Sequence, residues 1–89
     1  FLKNLDQQAP GWEGEVGHAL VLGAGGAARG IVHGLLSRGV PVVTLANRSL
    51  GKAEAIAAGH TRAVRPLAWQ DLPKALGAAD LLVNTTSLG

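Results

Sequence analysis

The alternation of apolar and polar positions changes period several times along the chain, and each change marks an element. Residues 1–9, FLKNLDQQA, place Phe1, Leu2 and Leu5 at helical spacing before Pro10-Gly11 interrupts the pattern, which predicts the end of a helix followed by a turn. His18 to Gly23, HALVLG, is an unbroken apolar run with the length of a buried strand. From Gly26 to Arg38, Ala27, Ile31, Leu35 and Ala28, Val32, Leu36 recur every four residues, the stripe of a helix lying on a sheet, and Gly39 is placed to end it. Pro41 to Ala46 reads as a second buried strand, followed by a helix from Ser49 to Ala58 with Ser49 as its cap. Ala63 to Leu67 is a weaker strand, expected to be short or to stop at Pro66, which has no N–H to donate to a ladder. Gln70 to Leu76 predicts a brief helix that admits Pro73 only in its first turn, and Asp80 to Thr85 a final strand. The order β-α-β-α-β-α-β predicts an α/β domain whose parallel strands are joined by right-handed crossovers.

The first strand breaks into VLGAGGAARG, with four glycines in eight positions. Glycine inside an element costs about 0.5–1 kcal/mol relative to alanine, so a cluster needs a local cause. Gly23-Ala24-Gly25-Gly26-Ala27-Ala28 matches G-x-G-x-x-A between a strand and a helix, the turn of a Rossmann-like dinucleotide-binding domain. There the first glycine permits the bend and the second lets backbone N–H groups approach a pyrophosphate, which rests on the positive end of the helix. At the end of the second strand an NAD site usually offers an acidic residue. This chain has Asn47, Arg48 and Ser49, with Lys52 a turn later. Asn47 can bond the ribose, while the Arg48 fork and the Lys52 charge suit a phosphate monoester, so the indicated cofactor is NADP. Arg29 either assists the phosphate loop or only covers apolar surface.

Composition narrows the picture. Charged residues are 16% of the chain against about 25% in a typical domain, and 47% is hydrophobic, which suits a parallel sheet covered on both faces. The net charge is +2 and the only aromatics are Phe1, Trp12 and Trp69, so no nucleic-acid stacking platform is expected. No apolar run is long enough to span a membrane. There is no cysteine, consistent with a reducing, cytoplasmic setting, and His18, His33 and His60 have no metal-ligand spacing, so no metal site is expected. Lys3 and Asp6 stand at i, i+3 as a surface pair. Gly51-Lys52-Ala53 lacks the remainder of a P-loop, and the sequons at Asn47 and Asn84 fall at strand ends. The chain has no methionine and starts at Phe1, and is expected to be a piece of a longer protein.

Taken together, the lead-in FLKNLDQQAPGW, the loop GAGGAARG, the corner ANRSLGKAEAIA and the closing DLLVNTTSLG resemble the nucleotide-binding domain of shikimate dehydrogenases over nearly the whole chain. That resemblance implies NADPH-dependent reduction of 3-dehydroshikimate to shikimate in aromatic amino-acid biosynthesis. It implies that Gly23, Ala24, Gly25, Gly26 and Ala27 cradle the pyrophosphate. Asn47, Arg48, Ser49 and Lys52 would surround the adenosine 2′-phosphate, and Thr86 would lie near the nicotinamide half. The family often has threonine in place of Ser49 and arginine in place of Lys52, the latter departure weakening the phosphate grip. Its catalytic lysine and aspartate have no counterpart here, so no catalytic residue is expected in this chain. Residues 1–16 are expected to lead in from a substrate domain that binds shikimate or 3-dehydroshikimate, and residues 17–89 to form the NADP-binding half. Oligomeric state is not legible. Glutamyl-tRNA reductases share an Asn-Arg corner, but the NTTSLG ending favours the shikimate family. A non-catalytic nucleotide-binding module is the other alternative.

Overall fold

The computed structural model describes residues 2–60 and 63–86, apart from the side chains of Asn4 and Glu13. Expectations that fall on Phe1 and on the Ser87-Leu88-Gly89 ending lie outside the described residues. The elements are α1 (Leu2–Gln8), a 3-10 turn (Trp12–Glu15), β1 (His18–Leu22), α2 (Gly26–Ser37), β2 (Val42–Asn47), α3 (Leu50–Ala57) and β3 (Val64–Ala68). A second 3-10 turn (Trp69–Asp71), α4 (Leu72–Leu76) and β4 (Leu81–Asn84) complete the order. The four strands form one parallel sheet in the order β3-β2-β1-β4.

Every strand and helix expected from the periodicity is present, with ends shifted by one or two residues. β3, expected to be short or to stop at Pro66, is five residues long and runs through Pro66. Among the described residues β3 is an edge strand paired only with β2, with Pro66 opposite Leu45, so only one of its sides has to supply ladder bonds. Pro73 falls in the first turn of α4, where its missing N–H costs no helical bond.

β1 is buried along Ala19–Leu22 because it has a strand on each side and apolar layers on both faces. On one face Ala19 and Val21 meet Ala28, Val32 and Leu35 of α2 and Ala53 and Ile56 of α3. Leu2 and Trp12 belong to this same layer, so α1 packs onto α2. On the other face Leu20, Leu22 and Ala46 are covered by Leu67, Trp69, Leu72, Ala75 and Ala79. Gly39, at φ 88°, closes α2: its N–H donates to the Leu36 carbonyl at 3.0 Å and the Val40 N–H to the Leu35 carbonyl at 3.1 Å. This left-handed cap turns the chain directly into β2.

The end of the sheet opposite the glycine loop is tied by side chains. Asp80 Oδ2 accepts from the N–H groups of Gly17 and His18 at 2.9 and 3.0 Å, and His18 Nε2 shares a 2.6 Å hydrogen bond with Thr44 Oγ1. His18 is thereby occupied in joining β1 to β2. The expected Lys3–Asp6 pair is replaced by a longer-range contact. The Asp6 carboxylate accepts from Arg38 Nη2 at 2.8 Å, Arg38 Nε at 3.1 Å and Trp12 Nε1 at 2.8 Å. Arg38 wins because its planar fork engages both carboxylate oxygens while its Nη1 also binds the Gly34 carbonyl near the end of α2. These bonds hold the Asp6 carboxyl below the usual carboxylate range, the Arg38 hydrogen bond being the largest cause.

Candidate functional site

At the carboxyl ends of the strands, Gly23 follows β1 with φ 104°. Its N–H donates to the Ala46 carbonyl at 2.8 Å, so the turn starts from the ladder itself. A Cβ at this position would stand 2.5 Å from Thr85 Oγ1. Thr85 follows β4 and is buried, its hydroxyl donating to the Leu22 carbonyl at 2.7 Å and its N–H to the same carbonyl at 2.9 Å. Gly23 thus serves both the bend and the close approach of the β4 end.

Gly25 differs in kind. Its backbone is extended (φ −91°, ψ −164°), a conformation open to any residue. A Cβ on Gly25 or on Gly26 would meet nothing within 4 Å. Gly25 is the N-cap of α2, and no side chain caps that helix. The first N–H groups of a helix have no partners within it. Here Gly25 and Ala27, at the start of the helix, line an open cavity, a cradle that a Cβ on Gly25 would enter. This arrangement fits an anionic group such as a pyrophosphate.

Two adjoining cavities extend from this turn. One, of about 290 Å³, is lined by Gly23, Ala24, Gly25, Ala27, Asn47, Thr85 and Thr86. The other, of about 400 Å³, is lined by Leu22, Asn47, Arg48, Trp69, Asn84 and Thr86. Asn47 and Thr86 border both. Together the cavities span the β1–β4 junction, the crevice in which open α/β sheets bind ligands. Asn47 Nδ2 donates to the Ser49 carbonyl at 3.0 Å, and Asn84 Oδ1 accepts from the Thr86 N–H at 3.0 Å and hydroxyl at 2.6 Å. The two loops that face each other across the crevice are therefore braced internally.

The structure brings together Gly23, Ala24, Gly25, Ala27, Asn47, Arg48 and Thr86 of the residues expected from sequence. Gly26 opens α2 beside them. Ser49 stands at the N-cap of α3, but its hydroxyl makes no capping bond, and it is the Ser49 carbonyl that the Asn47 side chain fixes. Lys52 is exposed on α3 and Arg29 on α2, and neither lines these two cavities. Sequence reasoning missed Trp69, Leu22, Asn84 and Thr85. Trp69 faces the cavity from the segment after β3, with the Arg48 guanidinium carbon 5.6 Å from its ring centroid.

Comparison with known proteins agrees with this architecture. The profile of the shikimate/quinate 5-dehydrogenase family matches residues 7–88. The chain belongs to that family. It is 61% identical over 89 residues to the shikimate dehydrogenase (NADP(+)) of Methylocella silvestris and 56% identical over 89 residues to that of Rhodopseudomonas palustris. It covers 100% of itself in both, but only 31% and 32% of those proteins, so it spans about a third of their length. The shikimate dehydrogenase of Thermotoga maritima superposes with a TM-score of 0.66 at 35% identity, over 80% of this chain and 26% of that one. The quinate dehydrogenase of Corynebacterium glutamicum, solved with NAD, superposes with a TM-score of 0.82 over 94% of this chain and 31% of that one. At 24% identity, that second likeness speaks to the fold.

Proposed function

We infer that this chain is the NADP-binding part of a shikimate dehydrogenase that moves a hydride between NADPH and 3-dehydroshikimate. The observation that carries the reading is the pairing of a glycine cradle with an Asn-Arg corner in one crevice that, among the described residues, no carboxylate lines. The names of the family relatives, shikimate dehydrogenase (NADP(+)), support the same cofactor and substrate.

In this reading the α2 N-terminus and the backbone of Gly23 to Ala27 receive the pyrophosphate, where the helix dipole favours negative charge. Asn47 bonds the adenosine ribose. Arg48 takes the 2′-phosphate through a charge-assisted bond, with Ser49 and Lys52 adding a hydroxyl and a charge at the rim. Thr86 sits toward the nicotinamide half, braced by Asn84. The nicotinamide, when bound, supplies or accepts the hydride. The ketone and its proton are handled by a substrate domain to which residues 1–16 lead, in a cytoplasmic biosynthetic enzyme.

Arg48 decides the test. A hydrogen bond to a charged group contributes about 1.5–3 kcal/mol, or roughly ten- to a hundredfold in affinity. In the full-length protein, Arg48→Ala is expected to weaken NADPH by that factor and to leave NADH nearly unchanged in binding titrations. Equal losses for both cofactors would overturn the assignment.

A further inference from the structure

The geometry points to Trp69 as the positioning residue for Arg48, an indole platform that holds the guanidinium at the cavity mouth and so sets the preference for a 2′-phosphorylated dinucleotide. The inference rests on the proposed NADP site and deepens it, placing part of the cofactor choice in the segment after the edge strand, outside both the glycine turn and the Asn-Arg-Ser corner.

Arg48 lies between β2 and α3, just before the first turn of α3. A cation there is opposed by the helix dipole, so the local backbone does not favour its position. Among the described residues, no carboxylate lines the cavity that Arg48 borders. What meets the guanidinium is the face of Trp69, at a distance inside the range of about 6 Å over which a cation is attracted to an aromatic ring.

Trp69 is itself well placed to act as a support. It is half-buried and packs against Leu20, Leu22 and Ala46, the second apolar layer of the sheet. The ring is therefore fixed by the core and the guanidinium by the ring. Cation–π attraction engages the flat face of the guanidinium and leaves its in-plane N–H donors for a phosphate. An arginine already restrained in this way loses less rotamer freedom on binding than one free in solvent.

The test measures dissociation constants for NADPH and NADH in the full-length protein carrying Trp69→Leu or Trp69→Phe, each with and without Arg48→Ala. Trp69→Leu is expected to reduce the preference for NADPH about three- to tenfold, while Trp69→Phe, which keeps an aromatic face, retains most of it. On the Arg48→Ala background, Trp69→Leu should leave the remaining preference unchanged. An unaltered preference in Trp69→Leu, or an equal fall on both backgrounds, overturns the positioning role even if Arg48 is confirmed. If Arg48→Ala itself leaves the preference intact, the reading of the site fails first. A second readout covers a Trp69→Leu protein that does not fold. Indole emission of the wild-type protein should respond more to 2′,5′-ADP than to 5′-ADP, and Trp69→Phe should lose that difference. Equal responses to the two nucleotides overturn the proposal.

Discussion

Gly23 and Gly25 lie two positions apart and answer a methyl group in opposite ways. At Gly23 the backbone is left-handed and the new Cβ would stand 2.5 Å from Thr85 Oγ1. The left-handed conformation alone costs about 1–2 kcal/mol for an L-residue, and displacing the Thr85 hydroxyl from the Leu22 carbonyl adds about 1 kcal/mol. Gly23→Ala should therefore destabilise folding by about 2–3 kcal/mol, seen as a lower urea midpoint. Gly25 has an ordinary extended backbone and open space, so Gly25→Val should fold nearly as well while losing nucleotide binding. A Gly25→Val protein that binds NADPH normally would reduce the glycine turn to a structural corner. The spacing of the glycines was legible in sequence because the turn is local. The Thr85 contact was not, since it reaches Gly23 from the opposite end of the chain and has no periodic signature. Trp69 is legible in the sequence as one of three aromatics, but its meeting with Arg48 joins separate segments and likewise has no periodic signature.

Among the elements, α1 is held by a polar clamp at Asp6 in addition to its apolar contacts. Asp6 bridges Arg38 of the α2 end and Trp12 of the following turn, and these bonds lower its pKa in the folded state. A carboxylate with a lowered folded pKa stabilises the native state above its unfolded value, about 3.9 for aspartate, and that stabilisation is lost as pH falls through the folded value. The Asp6 side chain is 40% exposed, so the effect is modest and screened by solvent. Asp6→Asn should lower the unfolding midpoint at pH 7, and the gap to wild type should begin to narrow below about pH 4 and close as pH falls through the lowered folded value. A gap that does not narrow at all as pH falls from 7 through the acid range would show that packing, and not charge, holds α1. The hydrophobic period placed α1 correctly, whereas i, i+3 spacing named Lys3 as the partner of Asp6. Helix spacing predicts only neighbours on the same helix, and the two-point fork of Arg38 comes from another. Pro66 is a similar case, because a rule for central strands does not govern an edge whose far side needs no partner.

For the molecule as a whole, the sheet order β3-β2-β1-β4 gathers the cavities at the β1–β4 junction and leaves the two sheet faces unequally covered. One face has α1, α2 and α3, and the other has α4 with its flanking turn. Leu82 of β4 and Leu76 of α4 are 49% and 46% exposed. Residues 1–89 expressed alone are expected to be marginally stable, to show no NADP reduction with shikimate, and to gain about 2.7 kcal/mol at a hundredfold excess of NADP over its dissociation constant. Thermal unfolding with and without NADP, together with a shikimate oxidation assay, checks all three. Measurable turnover would place the proton-handling groups within this chain.

The central place of β1 also bears on how the chain is made. Ala19 pairs with Val43 on one side and with Leu81 on the other, so the two partners of β1 leave the ribosome far apart in time. Between Asn47, which ends β2, and Asn84, which ends β4, lie 84 − 47 = 37 residues of synthesis. At about 5–20 residues per second, HALVL keeps one bare strand edge for roughly 2–7 s on every translating ribosome. An unpaired apolar edge is a template for foreign strands. Nascent chains stalled after β2 has cleared the exit tunnel but before β4 has should therefore be captured by chaperones more readily than chains stalled far enough downstream for β4 to clear it.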